Sequence, residues 1–191
     1  MTRGISRSAS VGEISQPTGR TPDFRTTLGH FASGIVIIAA RHEGRPVGLS
    51  IQSFASLSLD PPLVSLSVSL TSATWPAIAE EGRFCASVLS ADQEALCRRF
   101  AVSGADKFAG VPWTASPRTL SPRIEGALAW VDCGIRAAHE AGDHWLIVAD
   151  VLDLDHDLRA DGRSRLPLLF YQGAFGTLSA AERPATERTG P

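Results

Sequence analysis

Two apolar patterns divide the chain. Between Leu63 and Leu70 the side chains alternate: Leu66, Val68 and Leu70 interleave with Ser65, Ser67 and Ser69. A period of two puts the apolar groups on one face of a strand and three serines on the other. Ile35-Val36-Ile37-Ile38-Ala39-Ala40 is instead a continuous apolar run rich in β-branched residues, the pattern of a strand buried on both faces. Phe24, Leu28 and Phe31 recur at helical spacing, which predicts a short helix from Asp23 to Ser33, released by Gly34.

Further elements follow in order. Arg41 to Arg45 is a charged hairpin turn and Val47 to Ile51 the return strand. Ser53 to Leu59 continues a hydroxyl-rich stretch, and Asp60-Pro61-Pro62 cannot continue a central strand. Thr74 to Glu81 predicts a helix, capped by Thr71, Ser72 or Thr74, with Pro76 tolerated in its first turn and Gly82 closing it. Phe84 to Leu89 is a strand. Ser90 and Gln93 form a capping box that opens a helix running to Val102. Asp106 to Gly110 is a loop. Ala127 to His139 and His144 to Asp155 pair about a turn at 140–143, with Leu146, Val148 and Val151 as core candidates. Leu166 to Tyr171 and Gly173 to Leu178 are short final strands.

Six or seven short strands with two or three short helices predict a mainly β fold, a closed or nearly closed antiparallel barrel. A doubly wound fold would need a helix after most strands and usually a Gly-rich loop after the first; here that strand meets Arg-His-Glu-Gly-Arg. The expected organisation is a disordered tail over 1–22, one domain over 23–178 and a flexible tail over 179–191.

Composition narrows the function classes. With 191 residues, 43% hydrophobic and 20% charged, the chain is globular and long enough for a sizeable core. A formal net charge of −2 leaves no electrostatic footprint for nucleic acid or an anionic membrane. No run of about 18 apolar residues exists to span a bilayer. The three cysteines, Cys85, Cys97 and Cys133, lie far apart, which argues for a reducing compartment and a cytoplasmic location. The five histidines form no HxH or HxxxH pair, so no metal site is expected. No GxSxG elbow is present to mark a hydrolase.

Three features carry candidate chemistry. The serine-faced strand feeds a helix start through Thr71-Ser72-Ala73-Thr74, an arrangement of short donors suited to an anion or a flat polar ligand. Arg98, Arg99 and Lys107 flank Phe100 and Phe108. They read either as a solvated helix end or as a phosphate clamp beside aromatic rings. Gly142-Asp143-His144 reads either as a plain hairpin turn or as a turn that projects His144 over a pocket.

Taken together, FRTTLGHFASGIVIIAA, GLSIQSFASLSLDPPLVSLSV, SATWPAI, the RF…DKFAGVPW segment, AGDHWLIVADVLDLD and PLLFYQGAFGTL make the chain resemble the flavin reductase family, in order and spacing, from Phe24 to Leu178. The resemblance implies a six-stranded antiparallel split β-barrel that binds FMN or FAD, and a homodimer. It implies hydride transfer from NADH, or NADPH, to flavin, with reduced flavin passed to a partner flavin-dependent monooxygenase. By the same resemblance Ser50, Ile51, Gln52 and Ser53 line the flavin, and Ser56 and Leu57 sit near its ring. Ser69, Thr71, Ser72 and Thr74 approach the ribityl phosphate, with Lys107 and Phe108 closing from the next loop. Gly142, Asp143 and His144 match a motif linked to nicotinamide nucleotide binding, with His144 as the catalytic candidate. Many relatives carry Asn near Ser69, a basic residue at Leu70 and Thr at Ser50. Two alternatives stay open: a split-barrel oxidase or oxygenase that keeps its flavin, and a non-catalytic flavin- or haem-binding module.

Overall fold

The computed structural model describes residues 23–104, 106–157 and 165–179, so the expected N-terminal tail and most of the C-terminal one lie outside the described residues. In chain order the elements are α1 (Phe24–Leu28), β1 (Ser33–Gly34), β2 (Val36–His42), β3 (Arg45–Ile51), β4 (Ala55–Leu59), β5 (Pro62–Ser69), α2 (Trp75–Glu81), β6 (Arg83–Val88), α3 (Glu94–Ala101), β7 (Trp113–Ala115), β8 (Pro122–Ile124), β9 (Ala129–Ala141), β10 (His144–His156), β11 (Leu169–Tyr171) and β12 (Ala174–Gly176).

The main sheet has seven antiparallel strands in the order β3-β2-β6-β9-β10-β5-β4. The mainly β, antiparallel character with three short helices is as the sequence predicts. The sheet has seven strands where the family pattern suggests six, and its edges β3 and β4 are not paired to each other. Smaller sheets, β1-β11-β12 and β7-β8, flank it. The β7-β8 hairpin is absent from the sequence reading, because three-residue strands leave too little periodicity.

β2 explains its own apolar run. Val36, Ile38 and Ala40 enter one core with Val64, Leu66, Val68, Trp75, Ile78 and Phe84. Ile35, Ile37 and Ala39 enter a second core with Leu89, Cys97, Phe100, Phe108, Ile124 and Leu168. A strand buried on both faces can afford no polar alternation. β5 keeps its alternation, with Val64, Leu66 and Val68 buried and Ser65, Ser67 and Ser69 half-buried. Leu70 breaks the pattern and is exposed.

Two expectations need correction. On β10 the buried residues are Ile147 and Ala149, and Val151 packs half-buried against the same core as expected, while Leu146 is exposed and Val148 is half-buried without joining that core. Pairing decides this: Ile147 lies opposite Leu66 and Ala149 opposite Val64, and directly paired antiparallel residues share a face. The first helix is five residues long rather than extending to Ser33, and Phe24, Leu28 and Phe31 all point to solvent. Asp23 caps it by accepting from the N–H groups of Arg25 and Thr26.

One buried carboxylate fixes the second core's outer cover. Asp132 on β9 accepts from Ser116 Oγ (2.8 Å), Thr119 Oγ1 (2.5 Å) and the N–H groups of Arg118 and Thr119. These bonds pin the β7–β8 loop, and with it Trp113 and Ile124, against the second core.

Candidate functional site

A cleft of about 830 Å³ opens between the C-terminal ends of β3 and β5, the start of β10, α3 and the β11–β12 hairpin. Its apolar lining comes from Ile35, Leu49, Ile51, Val68, Phe170 and Phe175, and its polar lining chiefly from serines. An apolar slot with a few convergent polar groups suits a flat heteroaromatic ligand.

The β3 and β5 side forms from local pattern. Ser50, Ile51, Gln52 and Ser53 all line the cleft, as do Ser69 and Ser72. The hydroxyls of Ser50, Ser53 and Ser69 are already engaged. Ser50 Oγ donates to the carbonyl of Cys97 at 3.2 Å. Ser53 Oγ donates to the Ser67 carbonyl and accepts from the Ser67 N–H, both at 2.9 Å. Ser69 Oγ sits 2.9 Å from Thr71 Oγ1 and accepts from the Thr71 N–H. Ser72 Oγ accepts from the Trp75 N–H, so Ser72 supplies the cap to α2 although Thr74 occupies the cap position. The last ladder pair of β3 is Val36↔Ile51, so the backbone N–H groups of Gln52 and Ser53 lie past it.

Gly48 joins this side to α3. A Cβ there would stand 2.9 Å from the Ile38 carbonyl oxygen and 3.1 Å from a Phe100 ring carbon. Only glycine lets the helix pack so closely on β3.

His144 begins β10 opposite Ser69 and reaches the cleft. The turn before it, Gly142-Asp143, is tight, with Gly142 at φ +65°. The Asp143 carbonyl accepts from the Leu70 N–H at 3.0 Å, tying the turn to the end of β5. Asp143 Oδ1 lies 2.6 Å from His144 Nδ1. The hydrogen bond from that imidazole, aided by its charge, holds the Asp143 carboxyl below the usual carboxylate range. An ionised carboxylate only accepts, so Nδ1 carries the proton and Nε2 is the other, available nitrogen. Gly142 and Asp143 themselves stay at the exposed tip and do not line the cleft.

The other predicted residues fall elsewhere. Ser56 and Leu57 lie on edge strand β4, exposed and outside the cleft. Thr71 is exposed beside it. Lys107 turns inward: its Nζ donates to the carbonyls of Gly48 and Phe100, both at 3.1 Å, and to Thr74 Oγ1 at 3.4 Å. Burial lowers its pKa. Phe108 is buried in the second core, edge-on to Phe100 at 4.9 Å. Lys107, Phe108 and Thr74 therefore brace the wall from behind.

Sequence reasoning missed most of the opposite wall. Cys97, Arg98 and Ala101 line it from α3, Val102 from just past its end, and Phe170, Gly173 and Phe175 from the last hairpin. The signal was present in Phe-Tyr-Gln-Gly-Ala-Phe: a turn at Gln172-Gly173 sets Phe170 opposite Phe175. The two rings meet edge-on at 5.2 Å. Of Arg98, Arg99 and Lys107, Arg98 is the one that reaches the cleft. Burial raises the Cys97 thiol and pushes Cys85 up to about 12, so both stay protonated and unreactive near neutral pH. Among the described residues no cluster of three or more His, Cys, Asp or Glu side chains could hold a metal ion, and no helix is long and apolar enough to cross a membrane.

Comparison with known proteins adds to this geometry. The family described as flavin reductase like domain matches residues 28–179. The reductase subunit of a flavin-dependent monooxygenase from Rhodococcus jostii is 45% identical over 152 residues, 80% of this chain and 75% of the relative. An FMN reductase (NADH) from Agrobacterium fabrum is 42% identical, over 82% of this chain and 85% of the relative. The Streptomyces globisporus NADH:FAD oxidoreductase, solved with NAD and FAD fragments, superposes with a TM-score of 0.75 at 30% identity, covering 83% of this chain and 93% of that one.

Proposed function

Because the chain belongs to the flavin reductase family, we propose that it is an oxidoreductase that moves hydride from NADH to FMN or FAD and supplies reduced flavin to a partner monooxygenase. The observation that carries this reading is the cleft in which the hydroxyl-rich ends of β3 and β5 meet His144. The subclass is an NAD(P)H-dependent flavin reductase, with NADPH a lesser donor.

The cleft's residues fit a flavin. Ile35, Leu49, Ile51, Val68, Phe170 and Phe175 supply the apolar faces for a planar ring system, and most of the polar groups come from the β3 and β5 side. When bound, flavin supplies the electron-accepting chemistry. The protein's part is positioning and electrostatics. The apolar walls would hold the planar rings and exclude water from them. With the Ser50 and Ser53 hydroxyls donating internally, the donors that remain for growing negative charge are the Ser67 and Ser72 hydroxyls and backbone N–H groups, first those of Gln52 and Ser53. Ser69 and Ser72, with Thr71 beside them, border the phosphate end. His144, its Nδ1 proton held by Asp143, presents Nε2 to the nicotinamide nucleotide. Lys107, Thr74 and Phe108 act by bracing the wall. No general base is needed.

The exposure of Phe24, Leu28, Phe31 and Leu59, 54% to 89%, supports a homodimer that covers them. Three unpaired, buried thiols support a cytoplasmic location.

The purified protein is expected to oxidise NADH only when free flavin is added. No oxidation with either FMN or FAD would overturn the reading. His144→Ala is expected to raise the KM for NADH more than that for flavin, and an unchanged NADH KM would remove His144 from the nucleotide site.

A further inference from the structure

Among the described residues, Arg98 is the only Arg, Lys, Asp or Glu side chain on the cleft wall. Its position is built from three elements. α3 carries it one turn after Glu94, whose Oε1 accepts from Nε at 2.9 Å and from Nη2 at 2.8 Å. Its guanidinium carbon stands 4.5 Å from the centre of the Phe175 ring on β12, and Phe175 packs on Phe170 of β11. A planar cation resting on a ring and hooked at one edge loses little further freedom when it binds. A guanidinium has five N–H donors. Glu94 engages Nε and one hydrogen of Nη2; the Nη1 amino group has no protein partner among the described residues.

The rest of the cleft lacks a permanent positive charge. The end of β5 offers only the hydroxyls of Ser69, Thr71 and Ser72, with apolar Leu70 among them. Lys107, the other candidate cation, donates to Gly48, Thr74 and Phe100 inside the protein. A nucleotide phosphate in this cleft meets one fixed guanidinium fork, the geometry that suits bidentate phosphate oxygens.

From this we infer that Arg98 reads phosphate in the cleft, and that Glu94 is the internal counter-charge a phosphate displaces. The assignment rests on the reductase reading for the ligand's class, a phosphorylated flavin or nicotinamide nucleotide. An exposed pair four residues apart on a helix is weak, so a dianion competes for the guanidinium readily. The phosphate is either the flavin's own or the pyrophosphate of the dinucleotide; the chemistry is common to both.

Fluorescence titration of the flavin-free protein with FMN and with riboflavin, beside steady-state KM values for NADH, tests the assignment. If the flavin phosphate is read, Arg98→Ala weakens FMN binding roughly tenfold or more, the scale of a hydrogen bond to a charged group. Riboflavin binding then stays level. If the pyrophosphate is read, both flavins bind as in the parent while the NADH KM rises by a similar factor. Glu94→Gln moves the affected quantity the opposite way, towards tighter binding, and Arg98→Lys restores part of it. Arg99→Ala controls for net charge, since Arg99 lies outside the cleft and donates to the Ala109 carbonyl. FMN, riboflavin and NADH values all unchanged in Arg98→Ala would overturn the inference, as would an equal loss in Arg99→Ala. The flavin titration needs no turnover. A parent protein that binds FMN but oxidises no NADH would therefore sink the reductase reading and leave the Arg98 result to stand or fall alone.

Discussion

The wall made by β3 and β5 and the wall made by α3 with the β11–β12 hairpin face the same cleft, but they arise in different ways. The first is a local product. Alternation along β5 buries Val64, Leu66 and Val68 and leaves Ser67 and Ser69 half-buried at the cleft, with no help from distant sequence. The second is a tertiary product. Arg98 and Phe175 are far apart in the chain, and neither segment alone shows that a guanidinium will lie on a ring. Between the walls stands a brace: Gly48 touches Phe100, and Lys107 bridges both.

Three substitutions test this division, in falling order of effect. Gly48→Val forces a side chain against the Ile38 carbonyl and Phe100, which cannot both retreat. A loss of about 3 kcal/mol is expected, read as a lower denaturant midpoint at unchanged slope. A neutral result would mean the walls are not locked through Gly48. Lys107→Met leaves two carbonyls without their donor and is expected to cost about 2 kcal/mol of stability. Its flavin affinity should stay close to that of the parent, because Nζ faces the interior. Affinity that collapses while the midpoint holds would put Lys107 back in the site. Ser72→Ala is the mildest, with about 1 kcal/mol lost in flavin binding by titration. Superimposable curves would confine Ser72 to capping α2.

The same division explains what the sequence discloses. β2 and β5 are legible because burial on two faces and burial on one face leave different periods. β10 is not, because Trp145-Leu146-Ile147-Val148 is apolar throughout and only pairing with β5 selects Ile147. Phe24, Leu28 and Phe31 have helical spacing but no partner among the described residues to bury them, so periodicity there overstated both helix and core. At the site, Ser50 to Ser53, Ser69, Ser72 and His144 converge as their motifs suggest. Lys107 does not, since its direction depends on a carbonyl 59 residues away. Ser56 and Leu57 follow their edge strand outward, and only the fold reveals where that edge lies.

The β11–β12 hairpin carries one further consequence, for timing. Its strands are three residues each, and its ladder reaches the rest of the molecule through the two pairs to Ser33 and Gly34. β9 and β10, by contrast, share a ladder of twelve pairs. Short ladders open locally long before a whole sheet unfolds. Amide hydrogens of Phe170 and Phe175 should therefore exchange with solvent earlier than those of Ile147 or Cys133. Both rings line the cleft, so each such opening loosens one side of the ligand's enclosure while the sheet behind it stays intact. Residence time in the cleft would then be a property of the hairpin, separable from affinity.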